Sequence, residues 1–214
     1  RLEVRRLRDG RLRLVGLGAL QGTHPQALER LLEQGRINLI ETDIRFVDEA
    51  QGRELAHVTG IRLALHNEGP RHRLDLSARL LPLRAGSDLS APDNLLHLSA
   101  DLEGPASAPG AWHGRVDVRL DGTDAGALLP LDRLGLSTLD TGRFRLESWN
   151  RIRAGRLEES LLRFALAGLT LAPAPSAGRQ TAPAAIGMGP LHGLARLRPL
   201  ESGWQIEVAD LKTD

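Results

Sequence analysis

The feature that most constrains this fold is an alternation of aliphatic and polar residues with a period of two. Over residues 73–80 the even positions hold leucine or alanine, and the odd positions hold arginine, aspartate or serine. Successive side chains of a β-strand point to opposite faces, so this pattern gives one aliphatic face and one charged face. Parallel strands read as continuous apolar runs. The alternation therefore predicts antiparallel strands in a sheet that is solvated on one side.

The same alternation recurs along most of the chain. Further runs lie at residues 96–102, 116–120, 143–147, 162–166 and 204–208, and with the remaining short runs they give roughly ten strands. The aliphatic positions are predicted to share one continuous face. The residues predicted to line it are Leu74, Leu76, Leu80, Leu96, Leu98, Leu102, Val116, Val118, Leu120, Phe144, Leu146, Leu162, Phe164, Leu166, Trp204, Ile206 and Val208.

An aliphatic face of this extent has to be covered. Aromatic residues make up only 3% of the chain and tyrosine is absent, so the apolar surface is built mainly from leucine, valine, isoleucine and alanine. A second sheet or closure into a barrel would seal the face within the protein. An open groove would hold something apolar and chain-like, such as acyl tails. The alternation alone leaves both interpretations open.

The N-terminal residues indicate a hairpin. Asp9-Gly10 lies between two alternating runs and predicts a type I′ turn, because both central positions of that turn need a positive φ. The adjacent Arg5 and Arg6 break the alternation, which indicates a β-bulge or a sheet edge.

Helical signals are few. One short α-helix is predicted at about residues 24–34, with Thr23 as its N-cap and Gly35 after its end. A second short helix is predicted around residues 124–129. Residues 172–185 are rich in alanine and proline, and this composition predicts a flexible low-complexity loop.

Three glycines, Gly16, Gly18 and Gly22, stand between a strand-like run and the predicted helix. This layout is close to a dinucleotide-binding turn, but the spacing departs by one residue from G-x-G-x-x-G. Such a site also needs parallel strands that alternate with helices, whereas one helix is followed here by a long series of strands. We therefore interpret the glycines as a bend between a strand and a helix.

Metal and thiol chemistry have little support in the sequence. Cysteine is absent, which excludes disulfides, thiol catalysis and thiolate metal sites. His66 and His72 flank a predicted turn and would be able to approach each other across it as metal ligands. Two solvated histidines on a polar face are the simpler interpretation. We expect neither a metal nor a cofactor.

Acid–base chemistry is also weakly indicated. The carboxylate pairs Glu158-Glu159 and Asp43 with Asp48 have the right groups for such catalysis. Nothing in the sequence places either pair in a cleft, and charges on an exposed strand are the usual reason for such residues. We therefore expect no enzymatic activity.

The charge pattern does not indicate nucleic-acid binding. The formal net charge is +1, and charges of both signs are interspersed. Arginines at positions 1, 5, 6, 8, 11 and 13 make the N-terminal hairpin basic, but it lacks the aromatic residues that stack on bases. We interpret this hairpin as a solvated edge that resists aggregation. Contact with anionic lipid headgroups is the alternative.

Three segments resemble a recurring unit of the AsmA-like envelope proteins. Residues 24–49, HPQALERLLEQGRINLIETDIRFVDE, place a short helix before a strand, with Phe46 where the family often has tryptophan. Residues 52–82 are similar to the YhdP branch, in which two strands flank an N-x-G-x-x-H-R-L turn. Residues 112–131, WHGRVDVRLDGTDAGALLPL, are similar to a segment of the same branch. The resemblance extends over about residues 37–171.

The resemblance implies a section of a long, twisted antiparallel sheet that is curled into an open groove with an aliphatic interior. Proteins of this family are anchored in the inner membrane of Gram-negative bacteria, project through the periplasm, and are thought to carry phospholipids between the inner and outer membranes. The implied partners are phospholipid acyl chains, and membrane contact is expected through parts of the protein outside these residues. Because residue 1 already lies in a strand-like run, we expect residues 1–214 to be a single β-rich module cut from a larger chain.

Two other functions remain open. A non-enzymatic envelope assembly scaffold would pack its aliphatic face against its own chain, as a self-sealed β-sandwich or barrel, or against a partner. A β-rich hydrolase would need a deep polar cleft with clustered carboxylates or histidines, which the sequence does not indicate.

Overall fold

The computed structural model describes residues 2–7, 12–15, 33–49, 52–81, 94–123, 136–173 and 184–213. These residues form fourteen β-strands and a short 3₁₀ helix at Pro109–Ala111. The strands are β1 (Leu2–Arg6), β2 (Leu12–Val15), β3 (Arg36–Asp48), β4 (Arg53–Glu68), β5 (Arg71–Leu81), β6 (Asn94–Glu103), β7 (His113–Gly122), β8 (Leu136–Asp140), β9 (Phe144–Arg153), β10 (Arg156–Leu166), β11 (Leu169–Pro173), β12 (Ile186–Met188), β13 (Leu191–Leu200) and β14 (Gly203–Thr213). The prediction of a mainly β protein is confirmed.

Eleven strands pair side by side in one large sheet, in the order β14-β13-β10-β9-β7-β6-β5-β4-β3-β1-β2. Within the described ranges the two outer strands, β14 and β2, do not pair with each other, so the sheet is open. Neighbouring strands run antiparallel, as the alternation predicts, except that β1 runs parallel to β3. The predicted open β architecture is therefore confirmed, with a sheet that is mixed and not wholly antiparallel.

A second sheet of three strands, β12, β11 and β8, continues strands of the large sheet. Along the chain β8 leads into β9, β10 leads into β11, and β12 leads into β13. Hydrogen bonds persist between these strands, where Ala167 N donates to Arg143 O at 2.8 Å and Gly168 N donates to Thr141 O at 3.3 Å. Gly142, at the junction, has a φ of 54°. The small sheet therefore extends β9, β10 and β13 of the large sheet beyond an interruption in their regular pairing.

Irregularities in β3 and β4 change which residues share a face. Glu41 has a φ of 51° and Gly60 has a φ of 58°. The register between β3 and β4 shifts between Leu39, which pairs with Leu63, and Thr42, which pairs with Ile61. Leu39 and Thr42 thus lie on the same face although they are three residues apart.

The strands of the N-terminal hairpin are confirmed, because β1 and β2 pair antiparallel. Their register has no shift, so the bulge considered at Arg5 and Arg6 is wrong. Several predictions fall outside the described residues: the turn at Asp9-Gly10, the three glycines at 16–22, the helix at 24–34 apart from its last two residues, the helix at 124–129, and positions 174–183 of the loop. Pro173, at the start of that predicted loop, still belongs to β11.

Buried apolar side chains concentrate on one face of the large sheet. Ile61, Leu65 and Phe144 are 2%, 7% and 2% exposed. Phe144 lies opposite Gly122 in the β7–β9 ladder, and a carbon atom added at Gly122 would approach the phenyl ring to 2.7 Å. The absence of a side chain at Gly122 therefore makes the space that this ring fills.

Candidate functional site

The strand register places every residue predicted to line the groove on one face of the large sheet. One row of cross-strand neighbours runs from Leu76 through Leu98 and Val118 to Leu162, and it ends at Val208 on the outer strand. Rows above and below it repeat this arrangement. We call this surface the aliphatic face: Leu74, Leu76, Leu80, Leu96, Leu98, Leu102, Val116, Val118, Leu120, Phe144, Leu146, Leu162, Phe164, Leu166, Trp204, Ile206 and Val208, with their neighbours in register.

Burial on the aliphatic face falls toward the β14 edge. The predicted residues on β5, β6, β7, β9 and β10 are half-buried, apart from Phe144, which is fully buried. Trp204, Ile206 and Val208 on β14 are 55%, 61% and 55% exposed. The described part of the protein therefore leaves apolar surface open to solvent along this edge.

Ile61 and Leu65 on β4 and Ala195 on β13 are buried on this face but were not predicted to line it. The alternating residues 61–65, IRLAL, carried the signal for β4. Ala195 gave no such signal, because an isolated alanine is too small and too common to be distinguished from a spacer residue. Ala78 on β5 is buried on the face that the alternation over residues 73–80 predicts.

Three polar side chains form a seam across the aliphatic face. Ser148 and Asn150 on β9 and Ser160 on β10 occupy positions of this face. Asn150 Nδ2 donates to Val116 O at 2.9 Å and to Ser148 Oγ at 3.0 Å. The amide group is thus satisfied within the sheet, and the seam interrupts the apolar surface without leaving that donor unpaired.

The opposite surface carries arginine–carboxylate pairs. Arg71 donates to Asp101 from Nε at 2.8 Å and from Nη2 at 2.5 Å, and this hydrogen bonding lowers the pKa of Asp101 from its ordinary value. Glu159 accepts from Arg198 Nη2 at 2.9 Å, which likewise lowers the pKa of Glu159. Such exposed pairs add little stability but keep this side solvated. We call this surface the charged face: Arg71, Arg73, Asp75, His97, Asp101, Arg115, Asp117, Arg119, Asp121, Arg145, Glu147, Glu159, Arg163, Arg196 and Arg198.

An open depression of about 930 Å³ lies at the ends of β6, β7, β9 and β10, where residues of the charged face form most of its lining and Phe144 and Leu166 of the aliphatic face complete it. The ionisable side chains that line it are those of His97, Arg119, Asp121, Arg143 and Arg145. No local sequence pattern predicts this depression, because these residues come from three separate strands and the junction before β9. We call these five residues the cationic cleft.

The two histidines considered as metal ligands lie apart. His66 is on the charged side, with Nε2 at 3.7 Å from Glu68 Oε1, whereas His72 is 2% exposed on the aliphatic side. The possible approach of His66 to His72 is therefore wrong. The described residues contain no group of three or more histidine, aspartate or glutamate side chains placed to hold a metal ion.

His72 belongs to a buried cluster at one end of the sheet. Its Nδ1 lies 2.8 Å from Asn67 Oδ1, and its Nε2 lies 3.1 Å from Gly104 O. Its ring stacks on Trp112 with centroids 4.6 Å apart, and Asn67 Nδ2 donates to Gln34 O at 2.6 Å. Asn67, His72 and Trp112 thus tie the β4–β5 turn to the segment between β6 and β7.

The carboxylate pairs considered for acid–base chemistry are engaged at separate places. Glu158 Oε1 lies 3.0 Å from Arg153 Nη1. Glu159 instead forms ion pairs with Arg151, Arg196 and Arg198. Asp43 accepts a hydrogen bond from a backbone amide, and Asp48 is fully buried at the end of β3. Neither pair forms a shared cleft.

Neither a membrane-spanning helix among the described residues nor a match to a known protein is found. In the described ranges no helix has both the length and the apolar character that crossing a membrane requires. No protein-family model, curated protein or solved structure matches the chain. Function must therefore be inferred from the two faces of the sheet.

Proposed function

We propose that this chain is a section of a bridge-like lipid-transport protein that carries phospholipids between the inner and outer membranes of Gram-negative bacteria. The acyl chains run along the aliphatic face, and the headgroups remain in water. The protein acts in the periplasm, anchored to the inner membrane through parts of the chain outside these residues. This role needs no enzymatic step and no cofactor.

The observation that supports the proposal is an aliphatic face that extends across an open sheet. A barrel would pair β14 with β2, and the described strands do not. Trp204, Ile206 and Val208 are each more than half exposed at the outer strand. Contiguous apolar surface of this kind usually marks a binding surface in a soluble protein.

The chemistry of the aliphatic face suits acyl chains. Its leucine, valine, isoleucine and phenylalanine side chains offer no hydrogen bonds, and the amide of Asn150 in the polar seam is already bonded to Val116 O. Each buried methylene contributes about 0.8 kcal/mol, so a two-tailed lipid is held through its length and not through one specific contact. Many weak and equivalent contacts allow movement along the face. The resemblance to AsmA-like proteins implies the same use.

Native mass spectrometry, with extraction and identification of bound lipid, tests this proposal. Leu98→Asp introduces a carboxylate in mid-face, between Leu76 and Val118. Ser99→Asp introduces the same group at the next position of β6, on the charged side, and is the control for the added charge alone. It lies in register between Asp75 and Asp117, so its cost is like-charge repulsion outside the aliphatic face. We expect phospholipid with wild type and S99D, and roughly tenfold less with L98D, because an unpaired charge in an apolar site is strongly unfavourable.

Folding has to be controlled, because L98D also perturbs the sheet. Circular dichroism and urea unfolding on each variant identify those that remain folded. Val118→Arg supplies a second mid-face charge on the next strand, whose long side chain reaches solvent more easily. Equal lipid content in folded L98D, V118R and S99D contradicts the proposal, as does the absence of phospholipid after incubation of wild type with vesicles.

An envelope assembly scaffold is the second candidate function. The exposed outer strand β14 favours it, because an open edge with apolar side chains can pair with a strand of another protein. In that case the purified protein carries no phospholipid, and charge on β14 disrupts assembly with the partner.

A further inference from the structure

The cationic cleft is organised around one carboxylate. Asp121 Oδ2 accepts a hydrogen bond from Arg119 Nε at 2.6 Å, and Asp121 Oδ1 accepts one from Arg145 Nε at 2.6 Å. Both bonds use Nε. Among the described residues the terminal Nη groups of these two guanidinium groups make no other hydrogen bond. Asp121 thus orients the guanidinium groups of Arg119 and Arg145, and their Nη groups can still donate hydrogen bonds to a ligand.

Positive charge is in excess at this place. A third guanidinium group, that of Arg143, lines the same depression and forms no ion pair within the described part of the chain. Two of the three guanidinium groups bond to the single carboxylate of Asp121, and the third lines the same depression. The walls between them are apolar and small, formed by Leu95, Ala165 and Ala167 among others. The cleft therefore combines open space with unneutralised donors.

The carboxylate that holds the arginines stays ionised. Partial burial on its own would raise the pKa of Asp121, but the hydrogen bonds from Arg119 and Arg145 outweigh that effect and lower this pKa from its ordinary value. The two guanidinium groups are consequently held in place across the neutral pH range.

We propose that the cationic cleft binds the phosphate group of a phosphoester. Arginine forks match the geometry of phosphate oxygens, and charge-assisted hydrogen bonds of this kind are among the strongest in proteins. At about 930 Å³ the depression exceeds the size of a phosphate and leaves room for an attached glycerol or sugar. A lipid headgroup and a free phosphoester share this chemistry. The arginines that would bind the phosphate are not part of the aliphatic face, so this proposal does not depend on the proposed lipid path.

Two binding assays at low ionic strength test the proposal and distinguish the sources. Calorimetric titration with sn-glycerol 3-phosphate measures binding of a free phosphoester. Flotation with vesicles of phosphatidylcholine, with and without phosphatidylglycerol, measures binding of a headgroup. Arg143→Gln removes the unpaired cation without touching the bonds of Asp121. Arg73→Gln makes the same charge change on β5, outside the cleft, and is the matched control.

We expect R143Q to weaken phosphate binding roughly fivefold to tenfold and R73Q to weaken it less than about twofold. If R143Q weakens binding of sn-glycerol 3-phosphate in the titration, the cleft binds free phosphoesters. If R143Q weakens only the binding to vesicles that contain phosphatidylglycerol, the cleft binds lipid headgroups. Equal effects of R143Q and R73Q in both assays, or no binding in either, overturn the proposal. Such a failure leaves the comparison of L98D with S99D unaffected, because that comparison measures the effect of a charge at Leu98, on the aliphatic face.

Discussion

Replacing Phe144 with alanine is expected to destabilise the sheet far more than a truncation at the exposed edge of the same face. Phe144 is 2% exposed and lies over Gly122, which has no side chain to fill the space that the ring would leave. Loss of a buried phenylalanine combines lost transfer free energy with a cavity and costs about 3–5 kcal/mol. Ile206 is 61% exposed, so its truncation to alanine is expected to cost less than about 1 kcal/mol.

Urea unfolding followed by circular dichroism measures the free energy of unfolding of both variants against wild type, and thermal unfolding measures their Tm. In a chain of this size, a loss of 3–5 kcal/mol lowers the Tm by roughly 6–20 °C. Gly122→Ala provides a second test, since the added carbon would meet Asn94 Oδ1 and would lie 2.7 Å from the ring of Phe144. Its cost is expected to be smaller in the F144A background, because the contact with the ring is then absent and only the contact with Asn94 remains. A cost for F144A no larger than that for I206A would refute the packing described here.

Three further predictions concern stability. His72→Leu removes both hydrogen bonds of the buried ring and is expected to cost about 2 kcal/mol in urea unfolding, and a cost below about 0.5 kcal/mol would contradict a structural role for the cluster. Gly155→Ala should cost about 1–3 kcal/mol more than Gly69→Ala, because both glycines have a positive φ but only an added carbon at Gly155 would meet backbone at 2.7 Å; equal losses in thermal unfolding would count against this contact. The lowered pKa of Asp121 means that its ionised form stabilises the folded state fully above about pH 4, and that this contribution is lost as the pH falls through the native pKa. The stability difference between wild type and D121N should therefore shrink between pH 7 and about pH 3, and a constant difference would contradict the assignment.

The sequence predicts which face of its strand each side chain occupies, but it does not predict which strands lie next to each other in the sheet. Leu98 and Ser99 are assigned to opposite faces by parity alone, because the period of a strand does not depend on its surroundings. Parity gives no information on which strands pair. The parallel pairing of β1 with β3 depends on contacts between residues that are about forty positions apart, such as Val4 and Phe46.

The candidate sites also depend on strand pairing, which the sequence does not predict. His66 and His72 flank one turn, and the hairpin register, which pairs Asn67 with His72, places the two histidines on opposite faces. The cationic cleft depends on Asp121 meeting Arg145, which lies 24 residues further along the chain. No local pattern predicts such a meeting. The continuous aliphatic face was predictable because each strand carries its own share of it.

Photo-cross-linking with a phospholipid that carries a diazirine in its acyl chain tests the central claim most directly. The protein is incubated with vesicles that contain this lipid, irradiated, and mapped by peptide mass spectrometry. Acyl chains on the aliphatic face predict cross-links at Leu98, Val118 and their neighbours in register, and few or none at Ser99 and Asp117 on the adjacent positions of β6 and β7. Cross-links distributed equally over both faces, or confined to the charged face, would contradict a lipid path along the sheet.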